Sequence, residues 1–300
     1  MSSGDSGRSA DARSAARERA RELREQRRKQ DRRTRTIVAG SVAGGIVVAV
    51  AIVALVLVNI GPGGRGPLNM ASDGIRIGEG LVAQSTIGLP DGASPRPGAT
   101  NPPEVVDIRI YFDYLCQNCG TFVERNGDLI RSLVDEGAAT VEFHPLAVLT
   151  TQSAGTQYSL RAANASACVA EYSPDHFFDF TLAMLSDQPA EGSPGLADDE
   201  ILDRAQQAGV ANITRIKACV EQRAFVDWVR AATDRALAGP IPGSDVVAIS
   251  ATPTIIVDGQ QFHTASFDPG EFGQFLQQAA GETFVQNSTP TPTPTPTDGP

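Results

Sequence analysis

Two cysteines held two residues apart, Cys116-Gln117-Asn118-Cys119, offer the clearest chemistry in this chain. They close an apolar run over residues 105–112 and open a stretch with helical spacing. A thiol at a strand-to-helix junction lies beside unpaired backbone N–H groups and the positive end of the helix dipole, and both favour the thiolate. In such a setting a cysteine pKa falls from about 8.5 to between about 3.5 and 7.5. A dithiol placed there can close into a disulfide and reopen. Sequence order assigns Cys116 to the first turn as the exposed nucleophile. Cys119, one turn further in, is the shielded thiol that resolves a mixed disulfide.

Other chemistries compete for the same residues. A zinc site needs four ligands, usually supplied as two pairs. The remaining candidates, Cys168, Cys219, His144, His176 and His263, are nowhere paired at ligand spacing, so no metal is expected. A permanent structural bridge is a second alternative, although so short a loop gains little from cross-linking. The chain has four cysteines, which allow three pairings. With Cys116 and Cys119 committed to each other, the simplest partner for Cys168 is Cys219. Cys219 follows Ile213 and Ile216 at helical spacing, on an apolar face, and Cys168 lies in an Ala-rich helical stretch at 163–170. Closing that loop is worth about 4 kcal/mol in the chain-entropy account. Two buried free thiols are the alternative, since cysteine is a common core residue. Asp113 precedes the dithiol closely and is either a proton acceptor or a residue that fixes the loop. Trp228 is expected to pack among helices.

The elements that must position the dithiol follow from periodicity. A strand is expected at 105–112, then a helix at 120–135 whose Phe122, Val123, Leu129, Ile130, Leu133 and Val134 lie mostly on one side, with Asn126-Gly127 as the place for a kink. A strand at 140–149 returns parallel to the first after this crossover. Residues 153–238 read as several Ala-rich helices broken at 189–194. A strand at 251–257, the hairpin turn Asp258-Gly259, a short strand at 260–263 and a helix at 272–280 complete the body. A weak hairpin at 74–82 opens it. Strands divided around a large helical block indicate an α/β domain with a mixed sheet.

Outside the body the sequence addresses location. Residues 37–60 carry no charge and, at about 1.5 Å per residue, span about 36 Å, enough for a hydrocarbon core of about 30 Å. Residues 1–36 hold 12 Lys/Arg against 6 Asp/Glu, and the rest of the chain holds 13 against 29. The basic flank should stay cytoplasmic and the acidic body lie outside. A cleaved signal peptide would have a shorter apolar core and an Ala-x-Ala-like site, which residues 58–63 lack. The expectation is a single-pass membrane anchor with all four cysteines on the oxidising side, where disulfides persist. A topology signal explains the basic tail, and no nucleic-acid partner is expected. Residues 61–103 hold 17 Gly or Pro in 43 positions, reading as a linker with the fold starting near residue 70. Residues 289–297 alternate Thr with Pro, which favours an extended tail, a candidate for O-linked sugars.

The run Tyr111-Phe112-Asp113-Tyr114-Leu115-Cys116-Gln117-Asn118-Cys119 resembles the active-site signature of DsbA-type thiol–disulfide oxidoreductases. A second match, Ser250-Ala251-Thr252-Pro253-Thr254, resembles the Thr-Pro-Thr segment of that family. The resemblance implies a thioredoxin-like fold with an inserted helical domain: first half at 104–150, insertion at 151–240, second half at 241–285 and tail at 286–300. It implies that Pro253 is cis and faces the dithiol, with Thr252 tuning the cysteines and offering backbone to a substrate. Gln117 and Asn118 stand where strong oxidants commonly carry Pro and His. Lacking a charge there, this dithiol should be a weaker oxidant, within the window of about −120 to −270 mV spanned by such proteins. The implied activity is disulfide formation in exported proteins, without a soluble cofactor. A membrane partner resembling DsbB or vitamin K epoxide reductase would reoxidise the dithiol. The same fold run as a reductase or isomerase, and a non-catalytic cell-envelope binding protein with a permanent bridge, are the alternatives.

Overall fold

The computed structural model describes residues 65–264 and 266–288. The basic tail at 1–36, the expected anchor at 37–60 and the Thr/Pro alternation at 289–297 lie outside the described residues. Among the described residues no helix is long and apolar enough to cross a membrane.

Alternating side chains build the centre of the sheet. Strands β1 (Ile75–Gly78), β2 (Val82–Ala83), β3 (Val106–Asp113), β4 (Ala139–Leu146), β5 (Thr254–Val257) and β6 (Gln260–Phe262) form one sheet in the order β2-β1-β4-β3-β5-β6. β3 and β4 are parallel, with Val106 opposite Ala139 and Asp113 opposite Leu146; β1 and β5 flank them antiparallel. One face carries Ile108, Ile110, Phe112, Val141 and Phe143 into the main core. The parallel pair is joined by α1 (Gln117–Asp135), whose Phe122, Val123, Ile130 and Val134 cover that face. α1 runs as one helix through Asn126-Gly127. The Asn126 amide is buried and donates to the carbonyls of Phe122 (3.2 Å) and Phe267 (2.9 Å), so the polar side chain is held without opening the helix.

The inserted domain comprises α2 (Tyr158–Tyr172), α3 (Phe177–Ser186), α4 (Asp198–Gln207), α5 (Ile213–Glu221) and α6 (Val226–Ala238). α2 is its axis: alanines at 162, 163, 165, 167 and 170 are buried and let neighbouring helices approach closely. Trp228, on α6, is partly buried against this block. The other sheet face meets α6 and the loop after it through Tyr111, Leu146, Ile256, Ala236, Ile241, Val246 and Ile249. β5 turns into β6 through Asp258 (φ 46°) and Gly259 (φ 85°), the paired left-handed conformation that matches strand twist in a tight hairpin. Helix α7 (Pro269–Ser288) then lays Phe272 on Phe122 and Phe262.

One expected boundary moves. α7 continues past residue 280 to Ser288, taking in the first residues assigned to the tail. Within the Gly/Pro-rich stretch the fold starts near residue 70, as expected. Between Arg65 and Pro90 this stretch is packed on the body: Arg65 bridges Pro90 and ion-pairs with Glu171, and Met70, Ile75 and Ile77 are in the core, whereas residues 91–104 are largely exposed. Glycine and proline mark where this strap turns, and say nothing of what it buries.

Candidate active site

The end of β3 and the start of α1 bring the dithiol into place. Cys116 is the N-cap of α1, with φ −73° and ψ 110°, and its sulfur accepts from the Cys119 backbone N–H at 3.2 Å. This is the helix-tip environment that favours a thiolate. Cys116 and Cys119 are disulfide-bonded with Cα atoms 5.3 Å apart. The sequence expectation of an exposed Cys116 needs correction, for it is only 4% exposed and Cys119 1%. The reason is the loop before β5, which lies over the bridge. The Thr252 carbonyl oxygen is 3.2 Å from the Cys116 sulfur, and the Thr252–Pro253 bond is cis. The Thr254 hydroxyl donates to the Ala251 carbonyl (2.8 Å) and closes that loop. Of the pair, Cys116 is still the one nearer solvent.

Asp113 fixes the loop. Its Oδ1 accepts from the Leu115 N–H (2.8 Å) and the Ser159 hydroxyl (2.7 Å), and its Oδ2 from the Leu149 N–H (2.9 Å). One carboxyl thus ties the approach to Cys116, the segment after β4 and the first turn of α2. Complete burial pushes this carboxyl above the ordinary carboxylate range, and its three donors pull it back.

The residues between the cysteines divide. Asn118 is exposed. Gln117 reaches the inserted domain: its side-chain amide donates to the Pro189 carbonyl (3.0 Å) and its backbone N–H to Glu191 Oε1 (3.4 Å). Gln188 donates in return to the Tyr114 carbonyl (2.9 Å). Gly120 lies directly beneath Gln188 and the Leu185 carbonyl, where a Cβ would collide. Sequence reasoning missed Gln188, Glu191 and Gly120; the only local sign was a glycine immediately after the second cysteine.

The other cysteines and the histidines lie apart. Cys168 on α2 and Cys219 on α5 form a buried disulfide with Cα atoms 5.9 Å apart. His144 stacks on Tyr111 (4.1 Å between centroids) with Nε2 at 3.7 Å from Glu142, and burial pushes its pKa down. His176 pairs with the Ser173 hydroxyl (3.1 Å), and His263 is exposed. No group of three or more His, Cys, Asp or Glu among the described residues could hold a metal ion.

A family model described as thioredoxin matches residues 92–278. No curated protein matches the chain. Among solved structures, oxidised DsbA from Mycobacterium tuberculosis is 25% identical, with a TM-score of 0.51 over 72% of this chain and 100% of that one. The reduced form of the same protein gives 24%, 0.51 and the same coverage. The reduced disulfide bond oxidoreductase DsbG from Mycobacterium tuberculosis is 24% identical, with a TM-score of 0.52 over 73% of this chain and 96% of that one. With the dithiol at the tip of α1, a cis-proline loop against it and helices inserted between the two halves of the sheet, this chain belongs to the thioredoxin family as a DsbA-type thiol–disulfide oxidoreductase.

Proposed function

We propose that this protein forms disulfides in exported proteins, on the outer side of a membrane to which residues 37–60 anchor it. The observation that carries the reading is the closed Cys116–Cys119 bridge at the α1 N-terminus with the Thr252 carbonyl 3.2 Å from the Cys116 sulfur. A substrate thiolate attacks the Cys116 sulfur. The Cys116–Cys119 bond breaks, and Cys119 leaves as a thiolate that takes up a proton. A second substrate thiolate then attacks the substrate sulfur of the mixed disulfide and displaces Cys116. The substrate loses two electrons and the protein gains them. The helix N–H groups, with the Cys119 N–H at 3.2 Å, hold the departing Cys116 thiolate.

The backbone around Thr252 offers an extended substrate main-chain partners beside the dithiol, in the manner of edge-strand addition. Return to the oxidised state needs an electron acceptor, for which a DsbB-like or vitamin-K-epoxide-reductase-like membrane protein is suited. Support for the location comes from the uncharged span, the basic residues before it and the acidic body after it.

The test is trapping. Cys119→Ser should accumulate mixed disulfides between Cys116 and exported proteins, whereas Cys116→Ser should accumulate none and lose oxidation of a reduced, unfolded substrate protein. Equal trapping by both variants, or none by either, sinks the assignment.

A further inference from the structure

We propose that Glu191, from the inserted domain, sets the redox poise of the dithiol by favouring the disulfide over the dithiol form. This rests on the reading of Cys116 as the nucleophile given above. Glu191 Oε1 takes the backbone N–H of Gln117, the first helical residue of α1 and the one next to Cys116. That N–H is one of the unpaired donors on which a Cys116 thiolate would rest. Two reciprocal bonds hold the loop in place: the Gln117 amide on the Pro189 carbonyl and the Gln188 amide on the Tyr114 carbonyl. The close fit of Gly120 under Gln188 leaves no gap between helix and loop.

Three described segments near Cys116 are free of exposed charge. The first turn of α1 has no acidic residue. Residues 147–157, after β4, and 248–254, which include the cis-proline, contain no Asp, Glu, Lys or Arg. Asp113 is buried and already satisfied by three donors. Asp187, at the other end of the same loop, pairs with Arg204 at 2.9 Å. Glu191 thus brings a carboxylate to the helix tip. When the bridge is closed it accepts a hydrogen bond and meets no opposing charge. When the bridge opens, the Cys116 thiolate forms beside it, and two negative groups share one end of a helix dipole. The interaction stabilises the oxidised form relative to the reduced one, so the dithiol is a weaker oxidant than its helix alone would make it.

The experiment compares the full-length protein with Glu191→Gln, Glu191→Asp and, as a control on the same loop, Asp187→Asn. Two quantities are read: the pH midpoint of Cys116 alkylation, and the equilibrium with reduced and oxidised glutathione at neutral pH. A charge at a helix terminus changes such equilibria by about two- to fivefold. Glu191→Gln should therefore lower the alkylation midpoint and move the glutathione equilibrium toward the reduced protein by about that factor. Added salt should shrink the difference between wild type and Glu191→Gln. Glu191→Asp should stay near wild type, and Asp187→Asn should not shift either quantity. No shift in Glu191→Gln, a shift toward the disulfide, or an equal shift in Asp187→Asn overturns the proposal. If wild-type Cys116 shows no rapidly alkylated thiol near neutral pH, the underlying assignment fails instead, which is a separate result.

Discussion

At the scale of single residues, two buried ionisable groups make separable contributions. Asp113 ends β3, and three segments hang on its carboxyl through Leu115, Leu149 and Ser159. Removing that acceptor strands those donors in the interior. Asp113→Ala should lower unfolding free energy by about 3 kcal/mol, read from denaturant midpoints, with Asp113→Asn closer to wild type. His144 behaves differently. Burial holds it neutral, so its folded pKa lies below the unfolded value of about 6.5. As pH falls through about 6.5 the unfolded chain binds a proton that the folded chain refuses, and stability is lost. Denaturant titrations from pH 7.5 to 5 should show that loss, and His144→Gln should remove up to about 1.4 kcal/mol per pH unit of its slope. An unchanged slope would show that the imidazole titrates as it does in the unfolded chain.

At the scale of elements, the inserted domain is stapled while the site it shields is mobile in its chemistry. The Cys168–Cys219 bridge joins α2 to α5 across a sequence separation of 51. Replacing both by Ala should cost about 4 kcal/mol at most in the chain-entropy account. Mild thiol that reduces Cys116–Cys119 should leave this buried bridge closed, which peptide mapping after alkylation would show. These elements were unequally legible in the sequence. The β3–α1–β4 unit was clear because its signals are local: alternation in Ile108, Ile110 and Phe112, helical spacing after the dithiol, and a second alternating run. The Asp258-Gly259 hairpin was equally plain. The clasp of Gln117, Gln188 and Glu191 was not, because it joins residues about seventy positions apart through amides and a carboxylate that any surface could carry. The start of the fold near residue 70 was legible too, because Ile75 and Ile77 alternate and both are in the core.

The whole molecule combines a sheet and helical cover with a basic tail and an uncharged span that lie outside the described residues. Anchoring is therefore tested on cells. The protein should stay with membranes after an alkaline carbonate wash, and after mild reduction a membrane-impermeant maleimide added to intact cells should label Cys116. Release by the wash would remove the anchor, and labelling only after lysis would reverse the proposed topology.

The staple in the inserted domain has one more consequence. On the proposed direction of the reaction, each new copy crosses the membrane with Cys168 and Cys219 as thiols, and so arrives as a client of the chemistry it will later perform. Copies already mature hold the Cys116–Cys119 bridge that can close the new one. Maturation is then self-templated, and the rate at which a population becomes competent rises with the number of competent members. A cell emptied of the protein would recover with a lag, and one that inherits a few mature copies would not.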